Sequence, residues 1–209
     1  MIATLSFKPR TWNLSGLRGI SDRTLETHFK LYEGYVNNTN LLRERVSELV
    51  ARGKPTGLDP KFAELQRRLG FEWNGMRLHE LYFDNLTTET TEMVAGGGLH
   101  DGMERVWGSY NQWCAEFAAM GEMRGVGWVI LCQDPISADL SNHWIELHQT
   151  GNVAGYIPLL VMDVWEHAWI YDRKPSERQG YVEAFLSNVD WYICEERMRT
   201  SSGEGVKLK

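Results

Sequence analysis

The chain has 209 residues and a formal net charge of −6, and 43% of its residues are hydrophobic. A chain of this length can form one domain or two small ones whose core needs neither disulfides nor a metal to fold. The negative charge argues against non-specific binding to nucleic acid or to an anionic membrane surface. No segment reaches the ~20 apolar residues that a membrane-spanning helix needs.

The cysteines indicate reduced thiols. Cys114, Cys132 and Cys194 are far apart and form no C-x-x-C pair, so they predict neither a zinc knuckle nor a disulfide framework. The N-terminal segment also lacks the apolar core of a signal peptide. We therefore expect a cytoplasmic protein, with neither nucleic acid nor a membrane as a partner.

The first ninety residues predict an irregular arm over 1–20 and two long helices. Apolar residues recur over 22–52 at the spacing of an amphipathic helix. A second helix begins at Pro60, because proline suits the first helical position. Gly70 and Gly75 weaken the middle of this helix and suggest a bend or break there. Two long helices with a short link favour an antiparallel hairpin.

A change of composition after residue 90, ending in three consecutive glycines, predicts a domain boundary between 1–90 and 91–209. The predicted elements beyond it are a helix over about 100–124, strands over 127–132, 143–148 and 155–162, a final helix over 177–198 and a disordered tail over 201–209. Short strands that follow one another without intervening helices favour an antiparallel sheet. The predicted fold class is therefore α+β: an N-terminal antiparallel helical hairpin, then a C-terminal domain with a three-stranded antiparallel sheet flanked by helices.

Four of the ionisable residues are candidates for a metal site. Asp163 and His167 are four apart, so they can share one face of a helical turn and reach one metal, but a solvated helix face explains the same spacing equally well. His28 and His79 each lie within an apolar helix face. A core or interface histidine is as good an interpretation of each as a metal ligand.

Six segments resemble the iron/manganese superoxide dismutase family. The segment DVWEHA at 163–168 resembles the D-x-W-E-H-A signature of that family. His28 followed by YVNN at 35–38 resembles its first helix, and His79 with Phe83 is similar to its second-helix motif. Further matching segments, in the same order along the chain, are Gly127-Trp128, residues 155–160 and residues 178–191.

The resemblance implies one Fe or Mn ion per subunit, bound by His28, His79, Asp163 and His167 with a solvent molecule as fifth ligand. Imidazole and carboxylate donors suit both metals. The reaction implied is the conversion of two superoxide anions to oxygen and hydrogen peroxide. The fold implied, a helical hairpin followed by an α/β domain with three antiparallel strands, agrees with the elements predicted above.

Roles for further residues follow from the same resemblance. Tyr35 matches a gateway tyrosine of the substrate funnel, and Arg178 an arginine near its mouth that would attract the anion. Gln149 matches a glutamine that contacts the bound solvent, with His148 or a site without glutamine as the alternatives. Glu166 matches a glutamate that reaches the metal-binding histidine of a second subunit, which implies a homodimer or a tetramer.

The chain also departs from the family pattern. His28 and Tyr35 are seven residues apart where the family usually has eight, so either the helix is adjusted or Tyr35 is displaced. Tyr32 replaces a histidine four after the first ligand, and Ile170 replaces the tyrosine that usually pairs with it across the dimer. Ile130 replaces an aromatic residue of the pocket wall.

Two alternatives to an active dismutase follow. The departures at Tyr32 and Ile170 favour a dismutase-like metal-binding or interaction protein with weak activity or none. A non-haem iron oxygenase, with two histidines and one carboxylate, is the weaker alternative because it leaves the fourth candidate ligand unused.

Overall fold

The computed structural model describes residues 6–53 and 55–200 of the chain. Its elements are α1 (Asp22–Arg52), α2 (Pro60–Asp84), α3 (Gly98–Trp107), α4 (Tyr110–Gly121), β1 (Gly127–Gln133), β2 (Leu140–Glu146), β3 (Ile157–Asp163), α5 (Arg178–Ser187) and α6 (Trp191–Arg199). Helices α1 and α2 pack on each other, and the three strands form one antiparallel sheet. The predicted α+β fold class is confirmed.

The ends of the chain are only partly described. Residues 6–20 contain no helix or strand, in agreement with the predicted arm. The predicted tail over 201–209 lies outside the described residues, and the division into 1–90 and 91–209 stays a prediction. None of the helices in the two described ranges has both the length and the apolar character to cross a membrane.

The first helix begins and ends where the sequence predicts. The hydroxyl of Ser21 accepts a hydrogen bond from the backbone N–H of Thr24, which satisfies one of the donors that a helix leaves free at its start. The helix then continues without a break to Arg52. Because it is regular throughout, residues seven apart on it lie on nearly the same face.

The second helix is unbroken, so the predicted break at its glycines is wrong. Asp59 caps it by accepting a hydrogen bond from the backbone N–H of Lys61. Gly75 is needed for close packing: a Cβ atom there would lie 2.6 Å from Cδ1 of Tyr35 on α1. The glycine therefore allows the two helices to approach and does not end one of them.

The predicted third and final helices are each divided in two. Gly108 adopts a left-handed conformation with φ 81° and ends α3, and the hydroxyl of Ser109 then caps α4 through the backbone N–H of Gln112. The final helix is interrupted after Ser187, and Asp190 caps α6. Both interruptions combine a residue that ends one helix with a residue that starts the next.

The sheet order is β2-β1-β3, with every residue of β1 buried. Trp128 of β1 lies opposite Ile145 of β2 on one side and opposite Asp163 of β3 on the other. Strand β2 ends at Glu146, two residues before the predicted end. Leu147 follows with φ 56° and turns the chain out of the sheet. The register therefore places Asp163 and Trp128 side by side at one end of the sheet.

Candidate metal centre

The four predicted ligands meet at one buried point. His28 comes from α1, His79 from α2, Asp163 from the end of β3, and His167 from a 3-10 turn over Glu166–Ala168. One ligand atom of each residue lies within 4.8 Å of the others. The Nε2 atoms of His28, His79 and His167 lie 3.1, 3.6 and 3.0 Å from Oδ2 of Asp163.

The predicted helical turn that would join Asp163 to His167 is not present. Asp163 is the last residue of β3, and His167 lies in the 3-10 turn that follows. The backbone N–H of Trp165 donates to Oδ1 of Asp163 at 2.8 Å, which fixes the carboxylate at the bend. The two side chains still converge, because the chain reverses direction between them and the sheet orients the first.

Hydrogen bonds fix which atoms face the meeting point. Nδ1 of His79 lies 2.6 Å from the backbone oxygen of Gly75. A carbonyl can only accept, so Nδ1 carries the proton and Nε2 keeps its lone pair. The two carboxylate oxygens of Asp163 also have separate partners. Oδ1 accepts a hydrogen bond from the backbone N–H of Trp165, and Oδ2 faces the imidazoles. Such partners hold a ligand in its tautomer and orientation before any metal arrives.

The electrostatics also suit a cation. Burial lowers the pKa of His28 to about 4 and holds that of His79 well below its usual value, so both rings are neutral at pH 7. Burial would raise the pKa of Asp163, but the charge of His167 and hydrogen bonds from His167 and His28 outweigh this effect and hold the pKa well below its usual value. Neutral rings at His28 and His79 and an ionised Asp163 are protonation states that metal binding requires.

These residues fit an iron or manganese ion. Nε2 of His79 is buried and has no hydrogen-bond partner among the described residues. A buried polar atom without a partner costs free energy, and so does a buried carboxylate that no cation balances. A metal at the meeting point would remove both costs with nitrogen and oxygen donors that suit Fe and Mn.

Tyr35, His148 and Trp128 form a hydrogen-bonded row beside this point. The indole N–H of Trp128 donates to Nδ1 of His148 at 3.0 Å. The proton of the neutral imidazole is therefore on Nε2, which lies 2.7 Å from the hydroxyl oxygen of Tyr35. The rings of Tyr35 and Trp128 both pack against His79, at 5.0 Å between centroids. Two members of the row, Tyr35 and Trp128, therefore contact the candidate ligand His79.

Gln149 is not brought to the site. Its side chain is exposed, whereas His148 is fully buried and faces Tyr35 and Trp128. The choice of Gln149 over His148 is therefore corrected: the alternative, His148, lies next to the candidate ligands. The cause is the left-handed conformation of Leu147, which directs His148 inward and its neighbour outward.

Comparison with known proteins agrees with the geometry. A sequence model described as iron/manganese superoxide dismutases, C-terminal domain, matches residues 95–197. The iron superoxide dismutase of Aquifex pyrophilus is 34% identical over 200 residues, which cover 92% of this chain and 91% of that protein. The manganese superoxide dismutase of Haloarcula marismortui is 33% identical over 188 residues, 87% of each chain.

This chain belongs to the iron/manganese superoxide dismutase family. The iron enzyme of Cupriavidus metallidurans is a further relative, 33% identical over 193 residues that cover 91% of this chain and 94% of that protein. Iron and manganese members match the chain equally well, so the comparisons do not separate the two metals.

The seven-residue spacing keeps Tyr35 on nearly the same face of α1 as His28. On a regular helix, residues seven apart differ by about 20° around the axis. His28 therefore faces the meeting point, and Tyr35, two turns further on, packs against His79 and approaches His148. The shorter spacing needs no adjustment of α1.

Tyr32 replaces the family histidine and is bound entirely within its own subunit. Its hydroxyl donates to Oε1 of Glu80 at 3.0 Å and accepts from the backbone N–H of Arg10 at 3.0 Å. Burial raises the pKa of Tyr32 to about 12. Ile170, at the position of its usual tyrosine partner, is 41% exposed. The Tyr32 hydroxyl therefore donates one hydrogen bond and accepts another within its own chain.

Arg178 and Glu166 lie around the centre without touching the four candidate ligands. Arg178 is half-buried, donates from Nη1 to the backbone oxygen of Gly125 at 3.0 Å, and lies 5.9 Å from the ring of Trp169. Glu166 is exposed in the single chain. Ile130 is buried in β1, two residues after Trp128.

Proposed function

We propose that this protein dismutes superoxide at one Fe or Mn ion per subunit, held by His28, His79, Asp163 and His167. The observation that carries the proposal is the convergence of three imidazole nitrogens on Oδ2 of one buried aspartate in a chain of this family. When bound there, such a metal would supply the one-electron redox chemistry that oxidises one superoxide and reduces a second.

The reaction consumes two protons for each peroxide formed, and Tyr35 and His148 are placed to handle them. Because Nε2 of His148 donates to the Tyr35 oxygen, the hydroxyl proton of Tyr35 points elsewhere, toward the substrate or solvent. Burial raises the pKa of Tyr35, so the hydroxyl keeps its proton at neutral pH. Tyr35 can therefore donate a hydrogen bond to an anion while His148, fixed by Trp128, holds it in place.

Aromatic side chains close the site against water. The ring of His28 packs at 5.1 Å from Tyr82 and 4.9 Å from Phe83, and both aromatic residues are fully buried. A dry, rigid site keeps the ligands in one geometry and favours a small diatomic substrate over larger molecules.

Arg178 and Glu166 keep the roles that the family resemblance implies. We propose that Arg178 adds positive potential near the funnel of an otherwise acidic protein. We also propose that Glu166 contributes to a homodimer or tetramer, since Ile170 and Tyr171 beside it are large apolar side chains 41% and 46% exposed. Sedimentation equilibrium tests this assembly, and a monomer at micromolar concentration would contradict it.

The test of the function is metal content together with superoxide-scavenging rate. The purified chain is reconstituted with Fe or Mn in separate samples, and the rate per bound metal is measured by stopped-flow absorbance. We expect about one metal ion per subunit and catalytic scavenging with at least one of the two metals. Metal binding with no scavenging would support the inactive dismutase-like alternative instead. The oxygenase is not favoured, because four ligands converge and not three.

A variant pair tests the ligand set. His79→Ala removes Nε2 from the meeting point, so we expect tight Fe or Mn binding and scavenging to be lost while far-UV circular dichroism stays that of the wild type. His143→Ala is the matched control, because His143 is partly exposed, lies on β2, and belongs to neither of the two side-chain groups among the described residues that could hold a metal. Full metal occupancy in His79→Ala would remove His79 from the ligand set.

A further inference from the structure

An acidic protein that acts on an anion needs a local positive charge at the approach to its site, and Arg68 on α2 supplies one. Its guanidinium lies 4.3 Å above the centre of the Phe71 ring. Phe71 in turn packs 4.5 Å from His148 and 6.1 Å from Tyr35, measured between ring centroids. Arg68 is thus one aromatic ring away from the row that borders the candidate ligands.

Arg68 forms an ion pair with the buried Glu72, while its own side chain stays exposed. Nε and Nη2 bind Oε1 of Glu72 at 2.7 and 2.6 Å, using one edge of the guanidinium. The Glu72 side chain is 2% exposed, whereas that of Arg68 is 51% exposed. The guanidinium of Arg68 is bound by the carboxylate of Glu72 and by the face of the Phe71 ring. It therefore has a defined position, unlike the guanidinium of a surface arginine without such partners.

The charge of Arg68 lies close to the site, because only the ring of Phe71 separates the guanidinium from His148 and Tyr35. Arg178, in contrast, is half-buried and bound to a backbone oxygen, so the more exposed of the two cations is Arg68.

We propose that Arg68, held on Phe71 by Glu72, guides the anionic substrate to the entrance beside Tyr35 and His148. The proposal rests on the proposed function for its substrate. Guidance by a surface charge raises the rate at which the protein and its substrate meet and leaves later steps unchanged. Because salt screens charges, this effect is strongest at low ionic strength.

The adjacent residue provides a matched control. Arg67 has the same charge on the same helix, with a side chain that is 72% exposed and 3.6 Å from Glu64. Arg67→Gln and Arg68→Gln change the net charge equally. We expect Arg68→Gln to lower kcat/KM about threefold at low ionic strength, with the difference fading near 0.15 M salt, and Arg67→Gln to stay close to the wild type. Equal effects of the two variants would overturn the proposal.

Two further variants separate guidance from other roles of Arg68. Arg68→Lys keeps the charge, so we expect most of the rate to remain; a loss as large as that of Arg68→Gln would mean that Arg68 acts by packing on Phe71. The double variant Arg68→Gln/Glu72→Gln removes both charges, and we expect it to stay slower than wild type at low salt. A wild-type rate in the double variant would mean that Arg68 only neutralises Glu72, which also overturns the proposal.

Azide gives a readout that does not depend on turnover. Its rate of association with the iron-loaded protein, followed by stopped-flow absorbance, should fall in Arg68→Gln and not in Arg67→Gln, again most at low ionic strength. An unchanged azide association rate together with an unchanged salt dependence of the superoxide rate would end the proposal. If the wild type bound metal and azide but did not scavenge superoxide, the proposed function would fail while the azide comparison would still decide the role of Arg68.

Discussion

A single glycine controls how closely Tyr35 approaches the candidate metal ligands. At Gly75 a Cβ atom would lie 2.6, 2.8 and 3.0 Å from Cδ1, Cε1 and Cγ of Tyr35. The backbone oxygen of the same residue holds Nδ1 of His79. One position thus leaves space for Tyr35 and fixes the tautomer of a candidate ligand.

Gly75→Ala should therefore displace the Tyr35 ring. We expect a net loss of about 1–2 kcal/mol in the free energy of unfolding, because overpacking costs more than the alanine gains in helix propensity. The superoxide rate should fall as well, since the hydrogen bond between Tyr35 and His148 must lengthen. Urea unfolding and stopped-flow assays measure the two effects.

Gly70→Ala is the control for this variant. It lies on the same helix, and no atom is found within 4 Å of the position of its Cβ. We expect it to gain up to about 1 kcal/mol of stability with an unchanged rate. The same gain in Gly75→Ala would show that Tyr35 has room to move, contrary to the packing described here.

At the scale of the elements, a half-buried arginine, Arg197, joins the second helix to the sheet. Arg197 of α6 donates from Nη1 to Oδ1 of Asn85 and to the backbone oxygen of Leu159, at 2.5 and 2.9 Å, and from Nη2 to the backbone oxygen of Leu81 at 3.0 Å. Burial lowers the pKa of Arg197, but the carbonyl groups at the end of α2 favour a positive charge there. The contact fixes α2, which carries His79, against β3, which carries Asp163.

Arg197→Met should cost on the order of 2–3 kcal/mol of stability, because buried carbonyl oxygens lose their donors. The control is Arg45→Met on α1, where the side chain is 53% exposed and pairs with Glu48. For this exposed pair we expect a change within about 0.5 kcal/mol. Denaturant unfolding of both variants decides the question, and equal losses would mean that the contacts of Arg197 contribute no more than a surface pair.

For the whole molecule, features encoded by nearby residues were predictable, and features that depend on an unusual backbone or a distant contact were not. The amphipathic repeat and Ser21 placed α1 at Asp22–Arg52, and the DVWEHA segment identified Asp163 and His167. Gly108 could have signalled the end of α3, because glycine is a common helix terminator.

Two parts of the site were beyond sequence reasoning. The inward turn of His148 requires φ 56° at Leu147, a conformation that leucine rarely adopts and no propensity predicts. The partners of Tyr32, Arg10 and Glu80, are 22 and 48 residues away in sequence. Only the packing of α1 on α2 and on the arm brings them together.

We expect the same packing to make the stability of the whole molecule depend on a bound metal. Two helices, a strand and a turn each contribute one candidate ligand, so a cation at their meeting point would link four separate segments. A ligand that binds only the folded state stabilises it by about 4 kcal/mol at a thousand times its Kd. For a chain of this size, that corresponds to a rise in Tm of about 10 °C.

We therefore expect the chelated protein to unfold about 10 °C below the protein reloaded with Fe or Mn, in calorimetric scans at equal protein concentration. His79→Ala should show no such rise, because the four-segment link is broken, and His143→Ala should behave like the wild type. A rise in His79→Ala equal to that of the wild type would mean that the stabilising metal binds elsewhere. No rise in the wild type at saturating metal would mean that the four side chains are held together by packing alone and gain nothing from a shared cation.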